Sequence, residues 1–110
     1  MIKKIIRIIV KHLDSKKAEN IVTLDIKKIT TISDYFIIAS ANSETHLKTL
    51  AKDTASMLKK EFKYIPLNPI TEDDKNWILL DYQDFIIHLF LEETRVYYNL
   101  EDLWFEAKKI

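Results

Sequence analysis

The amino-acid sequence predicts an α/β fold: a mixed β-sheet with a C-terminal antiparallel hairpin, covered by helices, in a single small domain over residues 1–110. Three observations carry that expectation. The chain opens on an apolar stripe at helical spacing, it holds a short unbroken apolar run at residues 35–39, and two further strand-like runs, 77–81 and 85–90, are separated by only three residues. At 110 residues, with 47% hydrophobic and 31% charged side chains, there is room for one packed core and not for two.

Ile2, Ile5, Ile6, Ile9 and Leu13 fall on one face of a helix over residues 2–14, with Lys3, Lys4, Arg7 and Lys11 on the other. The stripe carries no Trp or Phe, so core packing is favoured over attachment to a lipid surface. Residues 14–17 read as a connector, and residues 21–26 have the β-branched composition of a strand. Tyr35, Phe36, Ile37, Ile38 and Ala39 are apolar without alternation, which suits a central strand buried on both faces. Asn42 or Ser43 is then placed to cap a long helix whose stripe runs through Leu47, Leu50, Ala51, Thr54 and Leu58 to an end near Phe62. Pro66 and Pro69 bracket a loop. Tyr82, Gln83 and Asp84 are too few for a parallel crossover, so the runs on either side must form an antiparallel hairpin. From Glu92, the spacing of Val96, Leu100, Leu103 and Trp104 predicts a broken helical tail that packs against the sheet.

Composition removes several classes of function. Without cysteine there is no disulfide framework, thiolate metal site or cysteine nucleophile, which fits a reducing, cytoplasmic setting. Glycine is also absent, where about eight would be ordinary at this length. Ile and Lys are abundant, at 17 and 15 residues, a pattern consistent with an AT-rich coding sequence. Glycine-rich phosphate loops are therefore impossible here. The longest apolar runs are broken by Arg7 and by His88, far short of the roughly 20 residues a membrane helix needs, and no secretory signal is expected.

Charge is balanced in total, at 17 basic and 17 acidic residues, but not along the chain. Residues 1–66 hold 13 basic and 7 acidic side chains, residues 67–110 hold 4 and 10. The acidic half reads either as a surface that steers a basic partner or as a solvated face. The basic half lacks the interleaved aromatics that single-stranded nucleic acid stacks on, so no sequence-specific nucleic-acid binding is expected.

His88 lies near Asp81 and Asp84, a combination that suits acid–base chemistry; the alternative is a half-buried histidine that fixes the hairpin by a hydrogen bond. His12 and His46 have no partner at metal-ligand spacing, and no metal or other cofactor is expected. Ser33 and Ser43 lack a nucleophile elbow, and no close pair of aspartates marks a two-metal centre. Trp77, Tyr82, Tyr97, Tyr98 and Trp104 are residue types that supply rigid contact area at interfaces.

Three stretches bear a resemblance: Thr31-Ile-Ser-Asp-Tyr-Phe-Ile-Ile-Ala-Ser-Ala-Asn-Ser43, Trp77-Ile-Leu-Leu-Asp-Tyr-Gln-Asp-Phe-Ile-Ile-His-Leu-Phe90, and Arg95-Val-Tyr-Tyr-Asn-Leu-Glu-Asp-Leu-Trp104. In order and over nearly the whole chain, they resemble the Iojap family, the ribosomal silencing factors. The resemblance implies a small α/β domain similar to the nucleotidyltransferase superfamily but without its catalytic motif. It implies binding to the fourteenth protein of the large ribosomal subunit, which blocks joining of the small subunit and represses translation, with an added role in large-subunit assembly. It implies no enzymatic activity, and a homodimer when the protein is free. By motif position it singles out Trp77, Leu80, Asp81, Tyr82, Asp84, Arg95 and Tyr98, which with the neighbouring acid Glu92 are the expected partner-binding residues, while His88, Leu100 and Trp104 are assigned to the scaffold.

The chain departs from the family pattern at Ala41, at Gln83 and before Trp77, where the family carries glycine. If Gln83 must adopt a left-handed backbone, a cost of about 1 kcal/mol is expected there. The competing functional reading is a nucleotidyltransferase-like enzyme or nucleotide-binding protein that employs Asp81, Asp84 and His88.

Overall fold

The computed structural model describes residues 2–68, 76–99 and 108–109. The elements in order are α1 (Ile2–Ser15), β1 (Glu19–Asp25), β2 (Tyr35–Ala41), α2 (Glu44–Phe62), β3 (Trp77–Asp81), β4 (Phe85–Leu91), α3 (Glu92–Tyr98) and β5 (Lys108–Lys109). The sheet order is β3-β4-β2-β1-β5. Only β2 and β4 pair in parallel, Tyr35 opposite Phe85 through Ala41 opposite Leu91, and the other pairs are antiparallel. The mixed sheet, helical cover and hairpin are those the sequence predicts.

Each segment follows from its residues. Ile5, Ile6, Ile9 and Leu13 are buried in α1, as the stripe requires. Every residue of β2 is buried, which a strand with neighbours on both edges and cover on both faces demands. Its odd-numbered side chains join Leu47, Leu50 and Leu58 of α2 and the α1 stripe in one core. On the opposite face Phe36 and Ile38 cluster with Leu24, Ile26, Ile86 and Phe90. Ser43 caps α2 by accepting a hydrogen bond from the His46 amide at 3.0 Å. His46 bridges further, its Nδ1 accepting from the Asn42 amide at 3.1 Å and its Nε2 meeting the Lys16 carbonyl at 2.9 Å.

Of the helical tail, the described part is α3, Glu92–Tyr98. Val96, which the periodicity assigns to the core, is 69% exposed. Leu100, Leu103, Trp104 and Pro69 lie outside the described residues. Strand β5 is two lysines, for which strand propensity gives no signal. No described helix is long and apolar enough to cross a membrane.

The missing glycines leave a clear mark. Five described residues have left-handed backbones: Lys17, Asn20, Lys63, Gln83 and Asn99. Three follow helix ends; at Lys63 the amide donates to the Lys59 carbonyl at 2.9 Å while Tyr64 reaches back to Leu58 at 3.1 Å. Asn20 sits where the β1–β2 register shifts. Gln83, at φ 72°, turns the hairpin, and its amide donates to Asp81 Oδ1 at 2.8 Å. Ala41 has no such requirement and is an ordinary strand residue. Replacing Gln83 by Gly is expected to raise stability by about 1 kcal/mol, since an exposed side chain is lost and left-handed strain relieved. Urea unfolding of Gln83→Gly tests this; an unchanged midpoint would mean the turn carries no strain.

Candidate functional site: two ends of the hairpin

The hairpin holds most of the residues that the sequence singles out, and the structure divides them between its two ends. The five residues of β3 separate Trp77 from Asp81, about 13 Å along an extended strand. Side chains alternate across it. Ile78 and Leu80 are buried beneath the helices, whereas Trp77, Leu79 and Asp81 are half-buried on the other face. Leu80 is fully buried. It therefore belongs to the core and presents no surface to a partner.

At the turn end, Asp81 is held on several sides. Its amide donates to the Asn68 side-chain oxygen at 2.9 Å, its carbonyl accepts from the Leu67 amide at 2.7 Å, and its carboxylate accepts from the Gln83 amide. Asn68 also donates to the Leu79 carbonyl at 2.6 Å. Its carboxamide thus serves as a rung of an absent strand and closes this stretch of the β3 edge. Tyr82 is less free than a turn residue should be: its ring stacks on Phe85 at 5.1 Å, and its buried hydroxyl makes no hydrogen bond. Burial pushes the Tyr82 phenol up to about 12. Asp84 is exposed, and its carbonyl accepts from the Asp34 amide at 3.1 Å, tying the turn to the loop between β1 and β2.

At the other end, β4 runs straight into α3. Trp77 stacks on Phe90 with ring centroids 4.8 Å apart, and its indole N–H donates to His88 Nδ1 at 3.3 Å. His88 is 4% exposed, so it is buried rather than half-buried. Phe36 meets it edge-on at 4.6 Å. Its Nε2 has no hydrogen-bond partner among the described residues, and burial lowers its pKa to about 4. Neither Asp81 nor Asp84 bonds to it. The acid–base constellation of the sequence reading is therefore not assembled; His88 is a neutral ring that orients Trp77.

Beside Trp77, the residues Asn76, Glu93, Thr94 and Tyr97 line a groove of about 310 Å³. Tyr97 is 82% exposed, an unusual position for a large aromatic side chain. Glu92 and Glu93 form the acidic first turn of α3, with the Glu92 carboxylate 3.5 Å from the Asn20 side-chain nitrogen. Arg95 is 6% exposed and points inward: one guanidinium nitrogen donates to the Asn20 carbonyl at 2.6 Å and to Ser40 Oγ at 2.8 Å. It joins α3 to the bulge of β1 and to β2, and is a scaffold residue rather than a contact. Tyr98 ends α3, and its side chain lies outside the described residues.

Glu93 and Tyr97, the accessible face of this segment, are not among the partner-binding residues expected from the sequence, although Tyr97 is of a type that supplies interface contact area. The one available signal was an adjacent acid and aromatic in a helix without a complete apolar stripe. Among the described residues, no three His, Asp or Glu side chains converge as metal ligands.

The fold is a small α/β domain built on a mixed sheet, with an aromatic and acidic surface at the junction of β4 and α3. Comparison with known proteins agrees with that class. The family model described as ribosomal silencing factor during starvation matches residues 1–110. A ribosomal silencing factor of Halalkalibacterium halodurans is 33% identical over 107 residues, covering 97% of this chain and 91% of that protein. The mouse protein named for mitochondrial assembly of the ribosomal large subunit is 31% identical over 103 residues, which cover 90% of this chain and 44% of the longer mouse protein. A crystal structure of a Chromobacterium violaceum protein superimposes with a TM-score of 0.87 at 28% identity, covering 94% of this chain and 86% of that one. The chain belongs to the ribosomal silencing factor family. The names of these relatives denote regulation and assembly of ribosomes, not a reaction.

Proposed function

We propose that this chain docks on the large ribosomal subunit through that subunit's fourteenth protein, in the cytoplasm, and represses translation by obstructing the small subunit. Family membership supports the ribosomal role, and one observation of the surface supports the docking mode. The Trp77 groove, lined by Glu93 and exposed Tyr97 from one face of α3, combines aromatic contact area with negative charge. That combination suits a basic protein surface: aromatic side chains supply binding energy, and charge complementarity supplies orientation and rate. The action is steric, so it requires neither bond chemistry nor a cofactor. The enzymatic alternative draws no support from the geometry, because His88 and the hairpin carboxylates are not brought together.

The test is sucrose-gradient sedimentation of purified large and small subunits mixed under joining conditions. With the protein present, subunits should remain apart and the protein should travel with the large one. Tyr97→Ala combined with Glu93→Lys should weaken this comigration by about tenfold or more, with unchanged circular dichroism because both side chains are exposed. Asp84→Lys, at the far end of β3, should behave as wild type. Normal subunit joining with the unaltered protein would overturn the silencing role; loss of comigration in Asp84→Lys alone would move the docking surface to the turn.

A further inference from the structure

We infer that the groove between α1 and the outer edge of β1 binds an acidic peptide, which joins the sheet there as an added strand. The two edges of the sheet are treated differently. Along β3, Leu67 and the Asn68 carboxamide occupy the edge groups of Leu79 and Asp81. Along β1, strand β5 pairs only with Leu24 and Asp25. Residues 21–23 therefore meet no other described strand on their outer side. Such a row of unpaired N–H and C=O groups is a template for an extended chain.

The edge is accompanied by a groove of about 490 Å³. Ile6 and Val10 of α1 and Ile21 and Val22 of β1 form its apolar part, Thr23 adds a hydroxyl, and its charged lining residues, Arg7 and Lys11, are both basic. Lys3 and Lys4 extend the exposed positive charge of the same helix. A helix packed alongside an open edge strand gives a peptide both backbone partners and pockets for alternate side chains. The basic rim selects acidic side chains for the positions that face it. No aromatic ring lines the groove, so single-stranded nucleic acid would have phosphate contacts but no stacking platform. The peptide is therefore the occupant the surface fits. No residue that lines this groove lines the Trp77 groove, so the proposal does not rest on the ribosome-docking reading.

The probe is a fluorescein-labelled peptide of alternating valine and glutamate, with a valine–lysine peptide as control, titrated with the full chain and read by fluorescence anisotropy. The acidic peptide should bind and the basic one should not. Arg7→Glu with Lys11→Glu, both on the exposed face of α1, should weaken binding by about tenfold or more while leaving subunit separation intact. In an amide NMR titration the shifts should centre on residues 21–23 and on the α1 face beside them. Equal binding of both peptides, no binding of the acidic one, shifts centred elsewhere, or a groove filled by a second copy of the chain would each overturn the proposal.

Discussion

Acidification from pH 7 to pH 4 is expected to remove about 3 kcal/mol of stability through His88 alone. The ring is neutral in the folded chain because Phe36, Trp77 and Phe90 surround it, and burial takes its pKa from 6.5 to about 4. Above pH 6.5 it is neutral in both states and contributes no pH dependence. Between 6.5 and 4 the unfolded chain takes up a proton that the folded chain refuses, so stability falls as pH falls. Below 4 both states are protonated and the loss is complete. His88→Leu should flatten this slope and cost little near pH 7.5, since it removes a buried nitrogen that lacks a partner while half-buried Trp77 keeps access to water. His12, also lowered by burial and then by Lys16, contributes a smaller slope of the same sign and remains in the variant. Urea midpoints across this pH range decide the matter: identical slopes for wild type and His88→Leu would remove His88 as the origin.

Arg95→Met should be the other severe change, at about 2–4 kcal/mol. It leaves the Asn20 carbonyl and the buried Ser40 hydroxyl without their guanidinium donor. Lysine should not restore the lost stability, because a single ammonium cannot reproduce the planar fork. The bulge at Asn20 and the start of α3 should loosen together, seen as faster amide exchange in residues 19–22 and 92–96. A variant with the wild-type urea midpoint and exchange pattern would show that Arg95 does not join these elements.

Periodicity and local chemistry made the fold readable. The α1 stripe, the unbroken apolar run of β2, the Ser43 cap and the three-residue turn each have one inexpensive conformation, and the structure adopts it. What escaped the sequence depends on contacts between distant residues. An arginine in a short acidic helix reads as surface, and only the pairing of Arg95 with Asn20, 75 positions away, makes it core. Asn68 looks like a loop residue until β3 supplies a carbonyl and an amide at the right spacing. The candidate site was legible as a segment but not as a surface. Strand alternation sent Leu80 inward and left Trp77 accessible, and the length of β3 parted the turn acids from the α3 acids. Gln83 was the exception, because the resemblance places a family glycine at that position, and the left-handed backbone such a glycine would permit is present.

The parallel pairing of β2 with β4 has a consequence for how the chain is made. Residues 35–41 leave the ribosome well before residues 85–91, and until the latter emerge, a strand that is buried along its whole length in the folded chain has one edge bare. The nascent chain passes through a stage in which α1, β1, β2 and α2 are complete and the central slot of the sheet is empty. Such an edge recruits whatever strand is nearest, including one from a neighbouring polysome. Translation that stalls between α2 and β4 should therefore yield aggregates or chaperone-bound fragments. A protein of the ribosomal silencing family thus depends, for its own yield, on uninterrupted elongation through its second half.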